Sequence, residues 1–318
     1  MDAFWVMFRN IAVFLLLAVP GFILVKTGIL RKEDAGGLSK VLMYVGMPFL
    51  AFTGMVDKVT LDRETGLLIG LTALAGAVLT IAVFLLSAPL TRHEKNTETR
   101  AVMRFAATFP NNGFLGIPLA MAVFGDGKVL ALLIVLNTVN NVLIYTLGSI
   151  VIGGKGKMDL KKAILNPVLI AFILGLVANL LNLKQYVPEI STYSGHFANI
   201  VAAVSMTVVG IQLGATSLRQ IFGPKRLYYV SFLKLLLFPV LVVGLLLLVR
   251  LAAPGSIVDA DVIMAFFMAF SMPTAGVASA MAIQYGSDVE TAVSCTLGTT
   301  VLAVIVVPLL YWAATALV

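Results

Sequence analysis

Charge is what this chain has least of: 12% of its 318 residues are Asp, Glu, Lys or Arg, against about 25% in an ordinary soluble domain. One cysteine and two histidines exclude an internal disulfide and a His/Cys metal cluster. Cys295 stands inside an apolar run and reads as a small packing residue. His93 and His196 fall in connections, with no partner at metal-ligand spacing. Neither a phosphate-binding Walker loop nor a Gly-x-Ser-x-Gly elbow occurs, so the residues point away from an enzyme and from an ATP-driven pump. No metal and no cofactor is implied. Long hydrophilic loops and low-complexity tracts are missing too.

What fills the chain is hydrocarbon. Sixty per cent of it is hydrophobic, and the mean hydropathy is +1.04. Apolar stretches of about 20 residues recur along the whole length, each long enough to cross a bilayer. Inside lipid the backbone must satisfy its own polar groups, so such runs are helices. The first begins after Met1-Asp2-Ala3-Phe4-Trp5, which lacks a basic n-region. It is too long for a signal-peptide core and reads as a retained helix.

The fold expected is an all-α polytopic membrane protein with ten spans. They run Val6–Thr27, Leu38–Val56, Gly66–Ala88, Ala101–Phe124 and Val129–Ile152, then Ala163–Leu183, Phe197–Ser217, Leu227–Leu251, Val262–Tyr285 and Val289–Ala314. The formal charge of +7 lies in the connections and forms no basic face, which argues against a nucleic-acid partner. The odd-numbered connections carry fifteen Lys and Arg and the opposite side six, with Lys234 inside a span. Short cytoplasmic loops are enriched in these residues. Both termini are therefore expected outside the cytoplasm, with the protein in the cell (inner) membrane.

The two halves echo each other at an offset of roughly 160 residues, the mark of an internally repeated transporter. Phe109-Pro110-Asn111-Asn112-Gly113 interrupts the fourth span, and Phe124-Gly125-Asp126 follows. Met272-Pro273-Thr274-Ala275-Gly276 interrupts the ninth, and Tyr285-Gly286-Ser287-Asp288 follows. Because five is odd, a five-helix unit in residues 1–152 returns inverted in 153–318. Proline removes a donor and clashes with the preceding turn, so helices 4 and 9 should both break. Broken backbone at that depth must be buried or line a cavity.

A half-helix starting near Asn111–Gly113 presents free N–H groups and a positive dipole end, and a second starting near Thr274–Gly276 faces it. Two such ends make an anion site without a formal cation. Asn111, Asn112 and Thr274 can add side-chain hydrogen bonds, and Gly113 and Gly276 let a ligand approach the backbone. A carboxylate is the natural guest. No Asp or Glu lies near either break, which counts against a dedicated Na⁺ site. Asn137 and Asn141 share one helical face and make a cavity-facing pair, whereas Thr138, Asn140, Thr296, Thr299 and Thr300 read as helix-joining groups. Gly210 and Gly214 around Gln212, and Gly66 with Gly70, read as close-packing positions. Lys234 reads as a lysine that snorkels to the interface, and Asp57, Asp62, Glu64, Asp259 and Asp261 as solvated span ends.

With these residues in view, the chain resembles the auxin efflux carrier family, in particular its short-loop bacterial malonate/malate permeases. The resemblance rests on Pro20-Gly21 through Gly28-Ile29-Leu30, Met47-Pro48-Phe49-Leu50, the Pro110-Asn111 break and the Pro273 break. It implies two inverted five-helix repeats with crossed helices 4 and 9. It also implies a scaffold of helices 1, 2, 6 and 7 that forms a homodimer, and a moving transport domain of helices 3–5 and 8–10. The implied function is elevator-type carriage of a small organic carboxylate such as malonate, malate or an auxin-like acid, held at Pro110 and Asn111. Thr274 stands where the plant carriers have Asn, and the long loop between helices 5 and 6 is absent, which points away from auxin itself. Two readings stay open beside it. One is a Na⁺- or H⁺-coupled symporter similar to the bile-acid/sodium symporters; the other is a ligand-sensing membrane protein on a carrier fold.

Overall fold

Helices account for nearly all of the structure, a computed structural model that describes every residue except 1, 58–62, 126, 155–160, 162–163 and 254. Met1, Asp62, Asp126 and Ala163, named above, lie outside the described residues. Among the described residues there is no β-strand, only one isolated two-residue bridge.

Among the described residues seven helices are long and apolar enough to cross a membrane: α1 (Phe4–Lys26), α2 (Asp34–Asp57), α3 (Glu64–Leu90), α6 (Lys128–Gly153), α8 (Glu189–Ala215), α9 (Lys225–Ala252) and α12 (Val289–Leu317). Three apolar helices are shorter: α5 (Asn112–Phe124), α7 (Pro167–Leu180) and α10 (Ala260–Ser271). Two more, α4 (Thr97–Thr108) and α11 (Ala278–Tyr285), complete the set that positions the site. Both interrupted spans are therefore split, α4 from α5 and α10 from α11. The span expected from Ala163 begins only at Pro167, where Asn166 Oδ1 accepts the Val168 amide at 2.8 Å and caps the helix. Asn96, Asp259 and Asp288 cap α4, α10 and α12 in the same way. Each offers a side-chain oxygen to amides that have no partner within the helix.

Two sets of contacts stand out, joined where the first half of α1 lies against α12. In one, α8 lies against α1 and α2, and α7 against α2. Gly21 and Gly210 make the α1–α8 approach possible. A Cβ on Gly210 would sit 1.9 Å from the Ala18 carbonyl oxygen, and one on Gly21 2.1 Å from that of Thr207. Gly210 is thus the close-packing position its spacing predicts. Gly66 and Gly70 are not, because a Cβ there would meet nothing within 4 Å. They lie on the outward side of α3, whose other side chains Leu67, Leu71, Leu74, Val78, Ile81 and Leu85 are exposed at alternating three- and four-residue spacing. That is a lipid-facing stripe.

In the second group α6 packs on α3 and α10, and α10 on α9. All residues of α10 from Val262 to Ser271 are buried, as are Val129–Leu136 of α6. A helix that is apolar all round belongs inside such a body. At one end Arg226 pairs with Glu94 at 2.7 Å and Thr99 donates to Asp288 at 2.6 Å. At the other end Lys128 pairs with Asp259, and Asp57 meets Lys184 at 2.9 Å and the Ser191 hydroxyl at 2.7 Å. Asp57 and Asp259 are therefore ion-paired and not simply solvated, which short sequence distance could not reveal.

Candidate substrate site at the crossed helices

The two breaks meet. Pro110 and Thr274 form an antiparallel bridge, in which the Asn111 amide donates to the Pro273 carbonyl at 2.7 Å and the Ala275 amide to the Phe109 carbonyl at 2.9 Å. Each proline stops its helix, and the extended residues that result find in each other the partners their own helices no longer supply. Thr274 tightens the crossing further. Its amide donates to Thr299 Oγ1 at 3.0 Å and its hydroxyl to the Ala106 carbonyl at 3.0 Å.

Beside the crossing lies a cavity of about 470 Å³. Pro110, Asn111, Gly113, Asn137, Asn141 and Gly276 line it, six of the nine residues expected to form the site. Asn112, Pro273 and Thr274 do not: Thr274 is fully buried in the hydrogen bonds just given, and Asn112 is 2% exposed with its Oδ1 unpartnered. These three stand in the wall behind the cavity. Asn140 joins helices as expected, its Nδ2 donating to the Pro110 carbonyl at 3.2 Å. Lining residues that the sequence did not single out are Tyr44 and Met47 of α2, Tyr145 of α6, Asn166 at the start of α7, and Lys161 before it.

Asn111 and Asn137 are 8% and 2% exposed, and their side chains make no hydrogen bond to any described residue. Buried polar groups normally find partners, and these two amides are left open on the cavity wall. Gly113, Gly276 and Val277, at the N-terminal ends of α5 and α11 where amides lack an intrahelical partner, line the same space. Gly113 is less bare than expected, since Met47 Cε lies 2.5 Å from where its Cβ would be. Gly276 is the open one, with ordinary contact distances of 3.6 Å and more. Among the described residues no Asp or Glu lines the cavity, and Lys161 is the charged residue that does.

Backbone register shapes the wall as well. Four five-to-six-residue π-helical turns interrupt the helices: Leu42–Gly46, Asn112–Gly116, Ile144–Gly148 and Phe232–Leu237. The first three supply Met43, Tyr44, Gly113, Phe114, Ile144 and Tyr145 to the cavity. Single π turns concentrate at functional sites because each re-aims the side chains that follow.

The fourth π turn carries Lys234, and here the snorkelling expectation fails. Lys234 is 1% exposed. Its Nζ lies 3.4 Å from the Thr108 carbonyl at the end of α4 and 3.4 Å from the Phe270 carbonyl near the end of α10. One amine thus serves the C-terminal ends of both half-helices, where unbonded carbonyls concentrate negative potential. The opposite, positive ends of α5 and α11 remain free to act on the cavity.

The chain is similar to known transport proteins. The family model described as membrane transport protein matches twice, over residues 6–159 and 155–311. A Methanothermobacter thermautotrophicus protein named "Uncharacterized transporter" is 30% identical over 299 residues, 93% of this chain and 94% of its own length. A Rhizobium meliloti protein named "Putative malonate transporter" is 24% identical over 306 residues, 91% of this chain and 92% of its own. The paired matches cover both halves and both breaks, and the chain belongs to the membrane transport proteins of the auxin efflux carrier family.

Proposed function

We propose that this chain is a secondary carrier that moves a small organic carboxylate, of the malonate or malate kind, across the cell membrane by an elevator motion. The observation that carries the reading is the cavity at the crossing, with Asn111 and Asn137 open, the residues that begin two half-helices on its wall and no acidic residue among the described residues that line it. An anion is what such a surface stabilises. The name of the Rhizobium meliloti relative supports a short carboxylic acid as that anion.

The finer architecture belongs to the same proposal. Ten spans in two inverted repeats, 1–152 and 153–318, are supported by the doubled family match and by the antiparallel crossing. The division into a scaffold (spans 1, 2, 6 and 7) and a transport domain (spans 3–5 and 8–10) is supported by the packing of α7 and α8 on α2 and of α6 on α3 and α10, with α1 touching both α8 and α12. The cavity lies between them, walled by α2 and the start of α7 on one side and by the crossing and α6 on the other. It extends toward the α6–α7 connection. The fifteen-to-six bias of Lys and Arg supports placing that end in the cytoplasm, with both termini outside and the cell (inner) membrane as the site of residence. A homodimer through the scaffold follows from the family resemblance.

The test is flux into proteoliposomes challenged with a panel of small carboxylates, with and without Na⁺ and a pH gradient. Uptake of one acid that is lost in Asn111→Ala supports the proposal. Strict dependence on Na⁺ or on the proton gradient would favour the coupled symporter. Binding without flux from folded, reconstituted protein would favour a sensor.

A further inference from the structure

Among the described residues one hydrogen bond joins the helices assigned to the scaffold to those assigned to the transport domain. Ser205 of α8, fully buried, donates its hydroxyl to the Phe114 carbonyl of α5 at 2.8 Å. That is a shorter reach than the 3.1 Å to the Ala202 carbonyl in its own helix. The chain leaves the Phe114 carbonyl available. In an α-helix its donor would be the amide of residue 118, and residue 118 is a proline. Phe114 belongs to the π turn Asn112–Gly116, against which α8 packs. Its ring lines the cavity and would lie 3.6 Å from a Cβ on Gly276.

The other polar contacts between described residues of these helices stay on one side of the division. Within the scaffold, Asn179 Nδ2 donates to the Met55 carbonyl and the Ser191 hydroxyl to Asp57, both at 2.7 Å. Within the transport domain, Arg226 meets Glu94 and Thr99 meets Asp288. Apolar contacts cross as well, as where Ile134 of α6 lies beside Gly54 of α2. Apolar contact has no direction and is remade wherever two such surfaces meet. A hydrogen bond depends on distance and angle, and about 1 Å of sliding ends it.

We propose that Ser205 is a positioning residue of the transport cycle: it ties the scaffold to the cavity wall in this conformation, and the carrier gives up the bond when it moves. The proposal rests on the elevator reading. A neutral buried hydrogen bond shifts an equilibrium by about 2- to 12-fold. That is enough to bias which way the cavity faces at rest without locking the carrier.

The experiment places a reporter cysteine on the cavity wall, Val277→Cys, and times its labelling by a membrane-impermeant thiol reagent from each face of oriented proteoliposomes. Protein without the reporter gives the background of Cys295, which is fully buried. The ratio of the two rates follows the two populations and needs no substrate. Ser205→Ala should move that ratio about 2- to 12-fold away from the face on which the α6–α7 connection lies. Ser205→Thr keeps the hydroxyl and should keep the ratio within about twofold. Melting temperature in detergent separates the two roles a buried hydroxyl can have. An unchanged ratio in Ser205→Ala, with or without a lower melting temperature, makes Ser205 a packing residue and overturns the proposal. A threonine variant that shifts as far as the alanine one overturns it too. Labelling of the reporter from one face only, with and without the carboxylate panel, overturns the elevator reading itself, and this proposal with it.

Discussion

The Asn111 amide donates to the Pro273 carbonyl at 2.7 Å, so the backbone of one half of the chain is held by the backbone of the other. This bond settles what Asn111 has left to offer. With its N–H engaged across the crossing, its side chain faces the cavity with no partner of its own.

Asn111→Ala should therefore separate transport from folding. An amide hydrogen bond to a charged group contributes about 1.5–3 kcal/mol, which corresponds to roughly a 10- to 150-fold loss in substrate affinity. Monodisperse yield and melting temperature in detergent should stay near wild type, because no bond within the protein is removed. Parallel loss of yield and uptake would make Asn111 a packing residue.

Lys234 is expected to act through the donors it supplies. Lys234→Leu leaves the Thr108 and Phe270 carbonyls without a partner, at a cost of about 1–3 kcal/mol for each buried group left unsatisfied. Lys234→Gln retains an N–H₂ and should be the more stable of the two. Thermal unfolding of both variants in detergent gives the order, and a Leu variant at or above the Gln variant would contradict the capping role.

The glycines of α1 and α8 give a contrast that needs no substrate. Gly210→Ala drives a methyl group into the Ala18 carbonyl and should cost about 1–3 kcal/mol or more, as overpacking does. Gly66→Ala meets open space and should be neutral or stabilising by up to about 1 kcal/mol through helix propensity. Melting temperatures of the pair check both signs at once.

Removing one residue from the π turn Ile144–Gly148 should convert it to an ordinary helical turn. The residues of the turn, Ile144 and Tyr145 among them, are then re-aimed relative to Asn137 and Asn141. Deletion of Leu147 is expected to abolish uptake while membrane insertion persists. Retained uptake would show that the turn is incidental to the cavity.

Much of this was legible in the sequence, and the reasons are local. Pro110 and Pro273 act through covalent geometry, so the breaks could be read directly from the residues. The Asn137/Asn141 pair needed only the pitch of a helix. Lys234 was misread because hydropathy counts how apolar a segment is and cannot tell lipid from protein as its surroundings. The partners of Lys234 are carbonyls 126 and 36 residues away. Thr274 looked like a ligand-facing hydroxyl for a similar reason: its acceptor, the Ala106 carbonyl, comes from the other half of the chain. The π turns left no trace in composition. Asn166-Pro167 did carry a signal, a cap followed by an N1 proline, and would have corrected the start of α7.

One lysine serving two helix ends has a further meaning for a chain whose two halves match the same family model. Symmetric halves would need either a lysine each or none. This chain keeps a single one, in its second half, and it reaches the end of a helix in the first. The halves have thus ceased to be interchangeable parts. A chain made of the first half twice over would carry the breaks and the crossing, with nothing to cap the ends behind them.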